Sequence, residues 1–477
     1  MCGILGFVNF EINGSKLEKL FLKQLYRGKN GFGYYNKKEL YKDTSLENLR
    51  KILKNNKSNL FFIHNLLAIN NFVLQPLESK KSIFLWNGEI YNWKELKEKY
   101  NIKAENDSEL FHKLLDKFGI EILREINSDY SVCYYNKLNK KIYLFRDLIG
   151  IKPLFYNKIN ESLVFSSDKK TLDEFEVKEL NSRYILIYDI ESKLIKFKKR
   201  DFYTYSNKYI NKEFILNKLE KLLLESIKKR VDGIDKVLVL FSGGIDSSLI
   251  SFILKKLNKE FLCVTSGLKN SKDVEFSKRV AKYYNFKHKI VYLNEEIISK
   301  NIEEVKNIID DINYVKNSVA LPLHLALKDM KGYSNVVLSG LGSEEIFAGY
   351  KRFEQAEKEE KENKEKCLIN KECLNGLLSL SERDLYRDDV ISLKNNYEIR
   401  LPFLDKNLIE FSLNIDGKLK IKENNRKLIL TELAKRLGYN KKFAERKKLA
   451  AQYGSGVDKI LYKIAKKRGI KKSCLFH

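Results

Sequence analysis

The sequence predicts an α/β protein in two parts, an amino-terminal α+β sandwich followed by a doubly wound parallel sheet. Over residues 1–200, short β-like runs follow one another with few helices between them. That favours sheets packed face to face over a parallel sheet, whose crossovers need helices. From residue 214 onward, strands and helices alternate, the rhythm of a parallel sheet covered on both faces. The length, 477 residues, exceeds what one hydrophobic core usually supports, so two or three domains are expected.

In chain order, the amino-terminal strands are expected at Leu60–Ile69, Ser82–Trp86, Tyr130–Tyr135, Lys141–Phe145 and Ser162–Ser166, each a β-branched or aromatic run bounded by turn residues. Helical spacing of apolar residues marks Lys16–Leu25, Trp93–Tyr100 and Ser108–Phe118. Residues 201–213 are polar and aromatic and read as a linker between domains at 1–200 and 214–477. After the linker come an amphipathic helix at Phe214–Lys229, a nearly continuous apolar strand at Lys236–Phe241 and a helix from Asp246. A strand at Phe261–Thr265, a helix at Val274–Tyr284, a strand at Lys289–Leu293 and a buried strand at Val336–Ser339 follow. The run Glu354–Lys366, dense in Glu and Lys, reads as a solvated helix or mobile excursion without chemistry, and no internal repeat is visible.

Hydrophobic residues make up 43% and aromatics 12%, enough for packed cores and unlike a disordered chain. The formal net charge of +27 would attract anions. No basic stripe with interleaved aromatics accompanies it, so it is read as compositional drift and nucleic acid is not an expected partner. Six scattered cysteines, Cys2, Cys133, Cys263, Cys367, Cys373 and Cys474, include no Cys-x-x-Cys pair, which argues against a disulfide framework or a zinc site. The apolar start lacks a basic leading segment, and the longest apolar stretch, Val237–Leu254, contains Ser, Gly and Asp. Neither a signal peptide nor a membrane span is therefore expected, and the expected location is the cytoplasm.

Two motifs carry chemistry. Cys2 follows Met1, and removal of Met1 would leave a thiol and an α-amine on one residue. That is a nucleophile with its own base, because a free amine with a pKa of about 7.7–8.0 can take the thiol proton. The second motif is Ser242-Gly243-Gly244-Ile245-Asp246-Ser247-Ser248, between a buried strand and a helix. Its glycines let backbone N–H groups approach phosphate oxygens, the helix start adds a positive dipole end, and the serine hydroxyls can donate further. Asp246 can hold a magnesium ion on the departing phosphates. No Gly-Lys-Ser/Thr follows, so this is not a Walker loop; it resembles the loop of enzymes that split ATP into AMP and pyrophosphate.

Together the motifs resemble glutamine-dependent asparagine synthetases, in which a class II amidotransferase is joined to an ATP-pyrophosphatase synthetase. The resemblance spans essentially the whole chain. Met1-Cys2-Gly3-Ile4-Leu5-Gly6 matches the family start, Arg27-Gly28 and Gly31 match part of a second segment, and Asn87-Gly88-Glu89-Ile90-Tyr91-Asn92 matches in full. Arg146-Asp147 with Gly150–Tyr156, and Glu398-x-Arg400-x-Pro402-Phe403-Leu404-Asp405, match stretches read as structural. Three of the four prolines (Pro76, Pro153, Pro402) lie in matching segments, which suggests rigid turns. Ser339-Gly340 and Gly342-Ser343-Glu344-Glu345 resemble the second nucleotide loop, and Arg446 and Lys448, followed by Gly454 and Gly456, match a segment whose lysine reaches the phosphates.

The resemblance implies an N-terminal-nucleophile, four-layer sandwich in the first half and the ATP-pyrophosphatase type of doubly wound sheet in the second. Cys2 would be the nucleophile, Asn87 and Gly88 would form the oxyanion hole, and Asn87, Gly88, Glu89 and Asp107 would hold glutamine. ATP would contact Leu240, Ser242, Gly243, Gly244, Asp246, Ser247, Ser248, Ser266, Ser339 and Gly340, with Lys448 catalytic and Mg2+ held by Asp246, Glu344 and Glu345. The expected partners are glutamine, aspartate and ATP, with a homodimer left open. Two positions depart from the pattern. Leu66 stands where the family has an arginine that grips the glutamine carboxylate, leaving a neighbouring cation such as Arg27 or Lys29 to take over, or glutamine to bind weakly. Leu341 replaces a glutamate thought to assist aspartate activation, so Glu344 or Glu345 takes over or the acceptor is another carboxylate, amidated or cyclised on the same architecture. A tRNA-modifying enzyme and a catalytically dead binding protein are the remaining alternatives.

Overall fold

The computed structural model describes residues 2–55, 57–362, 366–444, 446 and 449–476. The chain divides into two compact units, Met1–Phe202 and Tyr203–His477.

The first unit holds two antiparallel sheets. One runs in the order Lys178–Glu179, Phe155–Ile159, Ser162–Ser166, Gly3–Val8, Leu60–Leu66, Gly31–Tyr35, Leu40–Asp43. The other runs Ile195–Lys199, Tyr184–Asp189, Lys141–Arg146, Ser128–Asn136, Ser82–Ile90, Leu77–Glu78. The two-residue period of a strand sorts their side chains. Ile4, Val8, Leu60, Phe62, Ile83 and Leu85 fill the space between the sheets. Leu5, Phe7, Phe61 and Ile63 face outward with Leu17, Leu20, Leu49 and Leu53 of the helices Gly14–Lys23 and Leu46–Asn55. Phe84 and Trp86 face the other way, with Leu96, Leu110 and Leu114 of the helices Trp93–Tyr100 and Asp107–Phe118. The result is the expected four-layer αββα sandwich.

Several elements differ from the sequence reading. The strand expected to reach Ile69 ends at Leu66, and the strand expected to end at Trp86 continues to Ile90, so Asn87 and Gly88 lie on a strand. The Arg146-Asp147 signature is structural as expected. Arg146 donates to the carbonyls of Gly150, Lys152 and Leu180, while Asp147 accepts from the N–H groups of Gly150, Ile151 and Lys152.

In the second unit a five-stranded parallel sheet runs His288–Leu293, Glu260–Leu268, Lys236–Leu240, Val336–Leu338, Glu398–Arg400. In order of appearance along the chain this is 3-2-1-4-5. The order reverses between Lys236–Leu240 and Val336–Leu338, and in open parallel sheets the crevice beyond the carboxyl ends at such a point is where ligands bind. The Glu398–Asp405 signature supplies the fifth strand and a buried ionic clasp: Arg400 pairs with Glu398 at 2.7 Å, and Arg230 pairs with Asp405 at 3.0 Å. The helix expected from Phe214 begins at Lys212, where Asn211 caps it by accepting from Phe214 N–H. The Glu/Lys-rich segment forms the helix Arg352–Glu362, and residues 363–365 lie outside the described residues.

Candidate active sites

In the amino-terminal unit, Cys2 directly precedes the strand Gly3–Val8 and is buried. By the two-residue period it shares the side of Ile4, toward the second sheet. Its backbone N–H donates to Asn87 Oδ1 at 2.8 Å. With Oδ1 accepting that bond, the amide nitrogen Nδ2 is left as the donor. Asn87 is fully buried, and among the described residues Nδ2 has no hydrogen-bond partner. An unpaired buried donor costs about 1–3 kcal/mol. Such a donor, fixed in place beside a thiol, is what stabilises a developing oxyanion.

Gly88 lets the strands close here, because a Cβ on it would lie 2.4 Å from the Asp129 carbonyl oxygen. Glu89 accepts from Asn70 Nδ2 at 2.6 Å, and Asp107, opening the helix Asp107–Phe118, accepts from Ile90 N–H at 3.1 Å. Both carboxylates are thus tied to the end of the Asn87 strand. Of the two cations that could stand in for the missing arginine, Arg27 is fully buried and its Nε donates to the Cys2 carbonyl at 3.2 Å, whereas Lys29 is exposed. Leu66, buried at the end of its strand, offers no side-chain donor. His64 lies opposite Ile4 in the sheet, fully buried, and burial pushes its pKa down to about 3, so its ring is neutral near pH 7.

In the carboxy-terminal unit, the loop Phe241–Gly244 leaves the strand Lys236–Leu240 and enters the helix Ile245–Lys256, placing the helix amino terminus at the switch point. The serines first shape the loop itself. Ser242 Oγ accepts from Gly244 N–H at 3.3 Å, while Ser247 and Ser248 donate to the carbonyls of Gly244 and Gly243, each at 3.2 Å. Tyr439 clamps the same Gly243 carbonyl at 2.6 Å, and Arg446 donates to the Ser242 carbonyl at 3.1 Å and to Asp273 at 2.6 Å. The second loop, Ser339–Gly342, leaves the neighbouring strand and touches the first: a Cβ on Gly340 would lie 2.7 Å from Asp246 Cβ. Leu341 N–H donates to Ser339 Oγ at 3.3 Å, and Ser266 Oγ donates to the Pro322 carbonyl at 2.6 Å. Leu240 is the last residue of its strand.

The expected acidic residues separate. Glu344 and Asp246 converge on one ammonium, Lys427 Nζ, at 2.8 Å and 2.7 Å. Glu345, the next residue of the short helix Ser343–Ile346, points elsewhere: its carboxylate bonds Arg383 and, at 2.9 Å, the Tyr350 hydroxyl, and burial raises its pKa. The turn of about 100° per residue in a helix forbids adjacent side chains from sharing a target. The structure therefore places Glu344, and not Glu345, beside Asp246. Lys448 lies outside the described residues. Sequence reasoning missed Lys427, Arg383 and Tyr350. Lys427 is one of 90 basic residues, and no local spacing sets it apart.

Two family descriptions cover the chain: Glutamine amidotransferase domain over residues 1–204, and Asparagine synthase over residues 218–367 and 354–471. The protein is therefore of the class that joins an amidotransferase unit to a synthetase unit. Among its relatives, an asparagine synthetase (glutamine-hydrolyzing) 1 of Methanocaldococcus jannaschii is 31% identical, covering 99% of this chain and 97% of that protein. A similarly named protein of Acanthamoeba polyphaga mimivirus is 30% identical over 72% of this chain and 67% of its own length. That of Gallus gallus is 26% identical over 76% and 71%. The chain belongs to the asparagine synthase family of ATP-dependent, glutamine-hydrolysing ligases. Among the described residues, no helix is long and apolar enough to cross a membrane.

Proposed function

We propose that this protein makes asparagine from aspartate, using glutamine as nitrogen donor and ATP as the source of activation. The observation that carries the proposal is the buried, unpartnered Nδ2 of Asn87 next to Cys2. Once Met1 is removed, the Cys2 amine, held by Asn87 Oδ1, takes the thiol proton, and the thiolate attacks the side-chain amide carbon of glutamine. Negative charge on the amide oxygen meets Asn87 Nδ2 and the Gly88 N–H. The amine passes that proton to the amide nitrogen, the C–N bond breaks, ammonia leaves, and water clears the glutamyl thioester to glutamate, restoring the thiol. Glu89 and Asp107 hold the substrate α-amine, and buried Arg27 is the cation nearest to the carboxylate-binding role that Leu66 cannot fill.

At the switch point of the second unit, the aspartate β-carboxylate attacks the α-phosphorus of ATP and displaces pyrophosphate. Ammonia then adds to the acyl carbon and AMP departs. A bare carboxylate has no acceptable leaving group, and adenylation supplies one. The loop Ser242–Ser248 and Gly340 cradle the phosphates through backbone N–H groups, Leu240, Ser266 and Ser339 line the nucleotide, and Lys448 offsets charge during adenylation. The donor set suits Mg2+, which takes one or two carboxylates and completes its shell with phosphate and water oxygens. Asp246 and Glu344 already converge on a cation, the Lys427 ammonium. When bound there, the ion would neutralise charge on the departing pyrophosphate.

Asn87→Ala tests the carrying observation. Glutaminase kcat should fall about 10²–10³-fold with KM little changed, because a transition-state donor is lost. A fall in glutamine affinity with kcat intact would remove Asn87 from the oxyanion role. A panel of candidate acids read by pyrophosphate release identifies the acceptor, with aspartate expected to lead.

A further inference from the structure

The Lys427 ammonium is built into the position assigned above to the metal. Its three N–H donors are all used: Asp246 Oδ1 at 2.7 Å, Glu344 Oε1 at 2.8 Å and Ser343 Oγ at 2.9 Å. All four side chains are buried. The backbone is arranged for this contact in two ways. Lys427 is left-handed (φ 57°, ψ 33°) at the start of the helix Leu428–Arg436, a posture that is strained for a residue with a Cβ. It also directly follows the hairpin Ile421–Lys422 and Asn425–Arg426, and Arg426 ties that hairpin to the Gly349 carbonyl at 3.1 Å. Gly349 in turn makes room for the ion pair, since a Cβ there would lie 1.8 Å from Glu344 Oε2 and 2.4 Å from Lys427 Cε.

Two buried carboxylates facing one point repel, and leaving them without a cation between them carries a penalty. The ammonium removes that penalty in the nucleotide-free protein. A magnesium ion could not share the point with the ammonium, because the two cations would repel and the same carboxylate oxygens would have to serve both.

We propose that Lys427 is a resident placeholder for the divalent cation: it fills the Asp246–Glu344 position in the free protein, suppresses metal binding there, and yields when metal arrives with nucleotide phosphates. The inference rests on the reading of Asp246 and Glu344 as metal ligands. Its four-carbon stem lets the displaced ammonium swing to the phosphate oxygens, so one side chain serves both states. The consequence is coupling, in which nucleotide brings the metal and metal alone binds poorly.

The test is a Mn2+ titration of the full chain followed by electron paramagnetic resonance, with and without a non-hydrolysable α,β-methylene ATP. Without nucleotide, the wild-type protein and Lys427→Arg should bind Mn2+ weakly, and Lys427→Met should bind it at least tenfold more tightly. Adding Asp246→Asn to Lys427→Met should abolish the gain. Equal Mn2+ affinity in the wild type and Lys427→Met overturns the placeholder role. Should Lys427→Met be unfolded without metal, circular dichroism should show it refolding as Mn2+ is added, and a chain that stays unfolded in millimolar Mn2+ contradicts the proposal. The underlying reading fails separately: if Asp246→Asn leaves nucleotide-dependent Mn2+ binding intact, the metal lies elsewhere and the placeholder role falls with it.

Discussion

The amino-terminal centre is built on paired strands, whereas the carboxy-terminal centre is built on loops that leave strand ends. Cys2 directly precedes a strand of one sheet and Asn87 lies within a strand of the other, and a backbone-to-side-chain bond of 2.8 Å joins them. Strand pairing fixes Asn87 and the neighbour of Cys2, so on the proposed function the oxyanion donor is oriented before substrate arrives. Asp246, Gly340 and Glu344 instead lie on two loops and the helices they open, with a flexible lysine between them. The first centre handles a small neutral amide and gains from rigidity. The second, on the proposed function, must fit around the ATP polyanion, for which loops are better suited than a strand.

The sharpest way to break this comparison is to disable one centre alone. Cys2→Ala should lower glutamine-dependent synthesis by about 10³-fold or more, as loss of a covalent nucleophile does. Synthesis from added ammonia should continue, because the loop-built centre keeps all its groups. Glutaminase activity surviving in Cys2→Ala, read as glutamate release, would dismiss the thiol as nucleophile.

A second variant addresses the frame that holds the loops. Arg230 pairs with Asp405 at 3.0 Å with both side chains buried. Removing the guanidinium takes the ion-pair partner away from a buried carboxylate, which costs about 3–5 kcal/mol. Arg230→Ala should therefore lower the denaturant midpoint of the second unit. The first unit's transition, followed by the fluorescence of Trp86 and Trp93, should stay in place. Equal loss in both units would contradict the separation.

The smallest expected effect lies in the strand-built unit. Burial holds His64 at about 3, below its ordinary 6.5. The unfolded chain takes up a proton as pH falls through 6.5 while the folded chain does not until about 3. His64 therefore costs nothing above pH 6.5 and destabilises progressively below it, by up to about 1.4 kcal/mol per pH unit. His64→Leu should flatten that slope in chemical denaturation between pH 6.5 and 4. An unchanged slope would assign it to other groups, among them His112, which burial holds at about 4.

How much was legible in the sequence follows the same division. The alternation of strand and helix after residue 214 revealed the parallel sheet and placed the phosphate loop, because each βα unit carries its own local period. The strands Gly3–Val8 and Gly31–Tyr35 were missed. Each is buried along its whole length, so neither shows the polar–apolar alternation that marks a strand with one wet face. Reading the strand Ser82–Ile90 as ending at Trp86 had a related cause, since Asn87-Gly88 carries turn chemistry that the sheet overrides by close approach to Asp129. Glu344 and Glu345 could not be told apart from sequence; helix geometry separates them. Lys427 is nearly two hundred positions from Asp246 along the chain, and its role exists only through the fold.

Asparagine synthesis by the proposed route requires ATP to be cleaved between its α and β phosphates and the transferred nitrogen to come from glutamine. The direct measurement is mass spectrometry of products after incubation with ATP, Mg2+, aspartate and glutamine labelled with ¹⁵N at the side-chain amide. The expected result is AMP and pyrophosphate together with asparagine labelled at its amide. Formation of ADP and phosphate, or asparagine carrying no label, would contradict it.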